Sequence, residues 1–525
     1  PRFSRIFLGD KEFNKKRYAK HLKNVVNNKI CSTCKGQRLN SKILSSKIMS
    51  KNISDFTQMT IKENLEFLNK LEDPTAKYII DPLKKQLEAL EYIGLSYLTL
   101  NRVTTTLSGG EAQRLKLIRH LNSSLSDLVY IIDEPSVGLH PEDIAKINEI
   151  LKSLKEKGNT VLIVEHDPDV IKEGDYIIDM GPGSGKNGGE ITFEGTYNEL
   201  LSSNTSTGNA LRNKHNLKEN IREANHFYNI GPVTQNNLNN VKTSIPKHVL
   251  TVLTGVAGSG KSTLVKAGFE NNDHTIFIDQ KAVQGSNRSN LLTYLGVFDS
   301  VRSYFSKETG LNKAMFSYNS KGACPNCGGK GYIKTELAFM GDFSQTCEVC
   351  HGKRYKQEVL DATIDGYSIA DVLNLTVDEG IIFFDKKNDI KSKLQSVSKT
   401  GLNYMSLGQP LSTLSGAEIQ RVKLGQHLDE EIKNSIFIFD EPTTGLHESD
   451  IPILMECFDD LIDQNNTVIL IEHNLSIMCE ADWIIDVGPG PGLDGGKVQF
   501  SGTPKNFIDS SETLTSKHLK RYIKQ

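Results

Sequence analysis

Val249-Leu-Thr-Val-Leu253, followed after Thr254 by Gly255-Val-Ala-Gly-Ser-Gly-Lys261-Ser262-Thr263, is the stretch that decides the fold. The aliphatic and β-branched run predicts a strand, and the Gly-x-x-x-x-Gly-Lys-Ser pattern just after it is that of a phosphate-binding loop. Gly255, Gly258 and Gly260 let backbone N–H groups converge on a β-phosphate, and the helix expected to open near Lys261 adds the positive end of its dipole. Lys261 is placed to reach the β- and γ-phosphates and Ser262 to ligate Mg²⁺, with Ser259 and Thr263 completing the nucleotide-contacting set.

Further along, Ser435-Ile-Phe-Ile-Phe439 and Thr467-Val-Ile-Leu-Ile471 are continuous apolar runs, expected for parallel strands covered on both faces. Asp440, ending the first, is placed to hold Mg²⁺ beside the phosphate loop. Glu441 is placed to polarise an attacking water, and His473, after the second run, to contact the γ-phosphate and that water.

The same segments recur upstream. Thr106-Leu-Ser-Gly-Gly-Glu-Ala-Gln-Arg114 returns 307 positions later as Thr413-Leu-Ser-Gly-Ala-Glu-Ile-Gln-Arg421. Asp133-Glu134-Pro135, Glu165-His166, Gly181-Pro182-Gly183 and Gly94-Leu-Ser-Tyr97 all recur at that offset. A period this long marks a duplicated domain rather than a solenoid. Leu128-Val-Tyr-Ile-Ile132 and Thr160-Val-Leu-Ile-Val164 are the first copy's expected strands, again covered on both faces, and the strand, helix, strand grammar is α/β. The expected segments are residues 1–105, a partial signature and zinc subdomain; 106–201, the rest of the first copy; 202–242, a polar linker and entry; 243–280, the phosphate-loop part; 281–405, an insertion; and 406–525, the end of the second copy.

Six of the eight cysteines fall in Cys-x-x-Cys pairs, which favours metal over disulfides and a cytoplasmic location. Cys324-x2-Cys327-x19-Cys347-x2-Cys350 has the spacing of a closed, structural four-thiolate zinc site. Cys31-Ser-Thr-Cys34-Lys-Gly-Gln-Arg38 echoes Cys347-Glu-Val-Cys350-His-Gly-Lys-Arg354, so Cys31 and Cys34 are candidates for half of a second site. The 525 residues are 37% hydrophobic and 24% charged, with no apolar run near the 18 residues of a membrane span. With 62 basic against 64 acidic residues, any contact with nucleic acid must be a local patch.

Leu-Ser-Gly-Gly-Glu, Asp-Glu-Pro and Glu-His together resemble the ATP-binding cassette class, in which the signature of one cassette caps ATP held by the other. The resemblance implies that Ser108, Gly109 and Gly110 offer a hydroxyl and helix N-terminal amides to a γ-phosphate held by the second copy. The second signature departs from it at Ala417, where a Cβ would oppose a positive φ or close approach to phosphate. No phosphate loop lies within residues 1–107, and the chain opens at Pro1, so either an N-terminal truncation or a degenerate first site is expected.

With the inserted cysteine module, Arg288-Ser289-Asn290, Gln409 and both Gly-Pro-Gly segments, the chain resembles the UvrA family. That resemblance implies two tandem ABC-type domains, the first incomplete; an ATPase using ATP, Mg²⁺ and Zn²⁺; a homodimer binding damaged double-stranded DNA in nucleotide excision repair; and a UvrB-like partner. Gln280 matches the family's glutamine loop, and Arg288, Arg302, Lys313 and Lys321 are candidate DNA contacts. Only nineteen positions separate Lys261 from Gln280, closer to abbreviated paralogues of the family, some associated with drug resistance. A soluble paralogue in drug tolerance and a non-hydrolysing remnant therefore stand as alternatives to repair.

Overall fold

The computed structural model describes residues 29–71, 73–107, 109–121, 125–213, 216–270, 272–281, 289–337, 341–430 and 432–524. Two compact units are present: a smaller one reaching to Glu88 and including Leu98–Thr106, and a larger one of Ala89–Tyr97 and the chain from Leu107 onward. In the smaller unit the helices Ile53–Gln58 and Ile61–Asn69 each open on a capping box, Asn52 with Asp55 and Thr60 with Glu63. The apolar face of the second buries Ile61, Leu65 and Leu68. The segment Ala89–Tyr97 groups with the larger unit, not with residues 1–105 as expected from sequence.

The larger unit holds both copies. The first consists of the helix Gly109–Leu121, β1 Val129–Asp133, the helix Pro141–Glu156, β2 Thr160–Val164, β3 Ile177–Gly181 and β4 Glu190–Gly195. The second begins with β5 Phe227–Gln235, β6 Leu238–Pro246, β7 Leu250–Thr254, the helix Lys261–Phe269 and β8 Thr275–Ile278. Its insertion carries the hairpin β9 Tyr332–Leu337 and β10 Gly341–Thr346 and the small pair β11 Thr363–Ile364 and β12 Tyr367–Ser368. It closes with the helix Gly416–Leu428, β13 Ile436–Asp440, the helix Ile451–Asp463, β14 Thr467–Ile471, β15 Trp483–Gly488, β16 Lys497–Gly502 and the helix Leu514–Lys524.

Six strands of the second copy form one sheet in the order β16-β15-β7-β14-β13-β8, all parallel except β16. The continuous apolar runs follow from burial on both faces. Ile436 and Ile438 of β13 and Ile469 and Ile471 of β14 pack with the β5–β6 hairpin and the helix Lys261–Phe269. Phe437, Phe439, Val468 and Leu470 point the other way, onto the helices Ile451–Asp463 and Leu514–Lys524. Residues 289–422 carry a separate core running from Leu291 to Val422, so the insertion's core extends past residue 405 into the second signature helix.

The first copy departs from expectation. Its β1 and β2 pair in the same register as β13 and β14, yet Val129 and Ile131 are 62% and 75% exposed. These match Ile436 and Ile438 by the 307 offset, and among the described residues nothing corresponding to the β5–β6 layer or the phosphate-loop helix covers them. Only the Ile132 side of β1 is buried, so these strands are covered on one face, not two. Within the expected linker and entry, 202–242, the hairpin β5–β6 already starts at Phe227. No helix among the described residues is long and apolar enough to cross a membrane.

Candidate nucleotide site

The loop after β7 is held by backbone geometry that needs glycine. Gly255 has φ 128°, and a Cβ there would collide with the Val487 carbonyl of β15. Gly260, at φ 108°, caps the helix Lys261–Phe269, whose Leu264, Val265 and Phe269 anchor it in the core. Lys261 Nζ donates to the carbonyls of Gly255 (2.7 Å) and Val256 (3.0 Å), so the ammonium already lies inside the loop. Burial pushes it down to about 8 against the pull of Glu441, Asp486 and Asp440. Ser262 Oγ donates to Asp440 Oδ1 at 3.3 Å, bringing together the two expected Mg²⁺ ligands. Thr263 Oγ1 accepts from Asn236 at 3.2 Å.

Glu441 sits at φ 51° and its counterpart Glu134 at φ 44°, a strained left-handed conformation for a glutamate that both copies keep at the same position. Burial, then the neighbouring Asp440 and Glu472 charges, push the Glu441 carboxyl up to about 7, offset in part by Lys261 and Arg114. Gln280 Nε2 donates to the Glu441 carbonyl at 2.9 Å. His473 is buried, and desolvation followed by the Lys261 charge keeps its ring neutral. His473 Nδ1, Ser259 Oγ, Thr254 Oγ1 and Asp486 Oδ2 are buried polar atoms without a hydrogen-bond partner. Orphaned polar groups at one loop fit a polar ligand that completes the site.

The first copy closes this site from the other side. Tyr97 donates to Glu111 Oε1 at 2.7 Å, and a Cβ on Gly258 would stand 2.9 Å from the same tyrosine ring. The start of the helix Gly109–Leu121 is thereby set by the phosphate loop. A Cβ on Gly138 would stand 2.8 Å from Glu441 Oε2, and the His140 and His473 rings meet edge to face with centroids 5.9 Å apart. The arrangement repeats about a pseudo-two-fold axis. Gly445 faces Glu134, His447 meets His166 at 6.1 Å, and Tyr404 donates to Glu418 at 2.9 Å while packing on Gly185. Ser108 lies outside the described residues. Gly110 is glycine for close approach, since a Cβ would stand 2.9 Å from the Val137 carbonyl. Ala417 lies within a regular helix with φ negative and its methyl buried, so the expected conflict with a positive φ does not arise.

Two further residues support the site. Asn237, at the β5–β6 turn, donates to the carbonyls of Gly258, Ser259 and Gly492 and clasps the loop. Glu472 accepts from the N–H groups of Thr443, His473 and Asn474, stapling the segment after Glu441 to the one carrying His473. For Glu472 the in-register Glu-His repeat was a sequence signal; for Asn237, within the polar stretch expected to be a linker and entry, there was none.

In the insertion, Cys324, Cys327, Cys347 and Cys350 are buried, with ligand atoms all within 4.8 Å of one another. Sγ separations of 4.0 Å for Cys324–Cys347 and 3.6 Å for Cys327–Cys350 bracket the roughly 3.8 Å edge of a tetrahedron with Zn–S of about 2.3 Å. The Gly331 N–H and the Asn326 amide point at Cys327 and Cys347 sulfur, as suits thiolates.

A model of the ABC transporter family matches residues 238–444. UvrABC system protein A of Clostridium perfringens is 42% identical over 533 residues, covering 94% of this chain and 57% of that protein. Its Aquifex aeolicus counterpart is 40% identical over 567 residues, covering 100% of this chain and 61% of that protein. The crystal structure of UvrA2 from Deinococcus radiodurans superposes with a TM-score of 0.88 at 37% identity, covering 94% of this chain and 66% of that one. This chain belongs to the UvrA family. It spans 57% and 61% of the two UvrABC system protein A relatives.

The other expected UvrA-family residues fall as follows. Cys31 and Cys34 adopt the turn of the buried site. The Lys35 N–H reaches the Cys31 carbonyl at 2.8 Å, as His351 reaches Cys347, and Gly36 and Gly352 have φ 88° and 84°. Among the described residues, the four buried cysteines are the one group of three or more His, Cys, Asp or Glu side chains close enough together to share a metal ion, and Cys31 and Cys34 are not part of it. Arg302 and Lys313 both pair with Asp299, which offsets their charge, Lys321 is exposed, and Arg288 lies outside the described residues.

Proposed function

We propose that this chain is the ATP-hydrolysing, DNA-binding part of a UvrA-type damage-recognition protein in nucleotide excision repair. The observation carrying it is the meeting of the first copy's signature region, through Tyr97 and Gly138, with the second copy's phosphate loop and Glu441. The carbonyls that Lys261 now contacts are exchanged for the β- and γ-phosphates, and the loop amides cradle the β-phosphate. Ser262 and Asp440 would hold Mg²⁺, which supplies positive charge at the β- and γ-oxygens. Glu441 takes the proton of the attacking water as its oxygen bonds to the γ-phosphorus and the bridging bond to ADP breaks. His473, neutral, orients that water or the γ-phosphate.

Four thiolates close the zinc site, so its role is to hold the β9–β10 hairpin in shape. On this reading the chain pairs with a second copy, binds distorted duplex through phosphate contacts around Arg288, Arg302, Lys313 and Lys321, and passes it to a UvrB-like partner. The test is ATP turnover by the full chain with and without lesion-bearing duplex. Lesion-bearing DNA is expected to change the turnover rate more than intact duplex does; equal rates in all three conditions would reject the repair reading.

A further inference from the structure

A buried chain of hydrogen bonds crosses between the two copies. His140, Thr515 and Asp486 are at most 1% exposed, although the first belongs to the first copy and the others to the second. The Glu142 N–H donates to His140 Nδ1 at 3.2 Å, which makes that nitrogen an acceptor. Burial and the nearby His518 and Lys261 hold the ring neutral, so its proton resides on Nε2. Nε2–H therefore donates to Thr515 Oγ1 at 3.0 Å, and the threonine hydroxyl passes its own hydrogen to Asp486 Oδ1 at 3.4 Å. Asp486 lies under the phosphate loop, since a Cβ on Gly255 would stand 3.1 Å from Oδ1.

The pseudo-two-fold repeats this chain link by link. The Ser449 N–H donates to His447 Nδ1 at 3.2 Å, His447 Nε2 meets Thr207 Oγ1 at 3.0 Å, and Thr207 donates to Asp179 Oδ1 at 2.8 Å. Thr207 and Thr515 open equivalent helices outside every motif of the cassette pattern. The same chain of bonds, kept in both copies of the duplicated domain, argues for a built device.

We propose that Thr515 is a positioning residue for turnover. With His140 and Asp486 it forms a strut that fixes the first-copy loop Glu134–His140 on the second copy, holding Gly138 against Glu441 and the His140 ring against His473. The inference rests on the ATPase reading above. An unpinned loop lets Glu441 lose its near-attack geometry while the phosphate-binding loop stays formed, so the loss falls on kcat rather than on nucleotide affinity.

The experiment compares steady-state ATP turnover of the full chain, Thr515→Val and Thr515→Ser. Valine keeps the volume and removes the hydroxyl; serine keeps the hydroxyl. Expected is a fall in kcat of about tenfold to 100-fold for Thr515→Val, with KM for ATP within about twofold of the parent, and recovery in Thr515→Ser. If Thr515→Val does not fold, His140→Met and His140→Gln make the same comparison, because glutamine keeps an N–H near the Nε2 position. Unchanged kcat in the hydroxyl-free or donor-free variant, or equal losses in both members of a pair, overturns the strut while leaving the ATPase reading intact. A parent chain that binds ATP and does not turn it over overturns the ATPase reading itself, and the strut with it.

Discussion

Glu441→Gln is expected to abolish turnover, lowering kcat by about 10² to 10⁴-fold, while ATP still binds. The substitution preserves shape and removes the one group at the site with both the position and the basicity to accept water's proton. Burial and the Asp440 and Glu472 charges lift Glu441 to about 7, whereas Lys261 and Arg114 face it as the opposing cations. A general base is most effective with its pKa near the working pH. The parent's kcat/KM is accordingly expected to rise with pH through an acid limb near 7, since only the deprotonated carboxylate accepts a proton. Lys261, Ser262 and the loop glycines are untouched by the substitution, so filter binding of nucleotide should persist. Retained turnover in Glu441→Gln would assign the base elsewhere.

The second large effect concerns the cysteine module. The buried cluster in the hairpin region consists of the four cysteines alone, so apart from backbone bonds such as Cys324 N–H to Arg354 and Cys347 N–H to Gly331, the side-chain packing between the two turns depends on metal. In small zinc domains the metal supplies about 10–16 kcal/mol of apparent folding free energy. Cys347→Ser is expected to lose stoichiometric zinc and to open residues 321–356 to proteolysis. The separate core of the surrounding insertion, built on Phe305, Phe316 and Leu394, should remain protected. An ordered, protease-resistant hairpin without zinc, measured by metal analysis and limited digestion, would contradict the assignment.

The chemistry of this molecule was legible where it is local in sequence. Gly255 to Thr263, Asp440-Glu441 and each Cys-x-x-Cys pair are contiguous signatures, readable as candidates without knowing their partners, and the 307-residue offset reappears in the strand register of β1–β2 and β13–β14. Contacts between distant segments were not legible. Thr515 meets His140 across 375 positions, and Asn237 reaches Gly492 across 255, with no periodicity or spacing to announce them. The β5–β6 hairpin looked like a linker because Leu238-Asn-Asn-Val-Lys-Thr-Ser-Ile-Pro246 buries only one side, leaving its other positions polar. The exposed face of β1 was unreadable for a related reason. An apolar run records the burial a strand is suited to, and Val129 and Ile131 carry the same residue types as their covered counterparts Ile436 and Ile438.

On the proposed reading, one nucleotide site draws its lysine and acidic residues from the second copy and its lid from the first. A structure of the Glu441→Gln chain with Mg²⁺ and ATP tests it most directly. The γ-phosphate is expected within hydrogen-bond distance of both Lys261 Nζ and the backbone amides of Gly109 and Gly110, with Gly138 still facing residue 441. A γ-phosphate touched only by second-copy residues, with the helix Gly109–Leu121 drawn away from the loop, would contradict it.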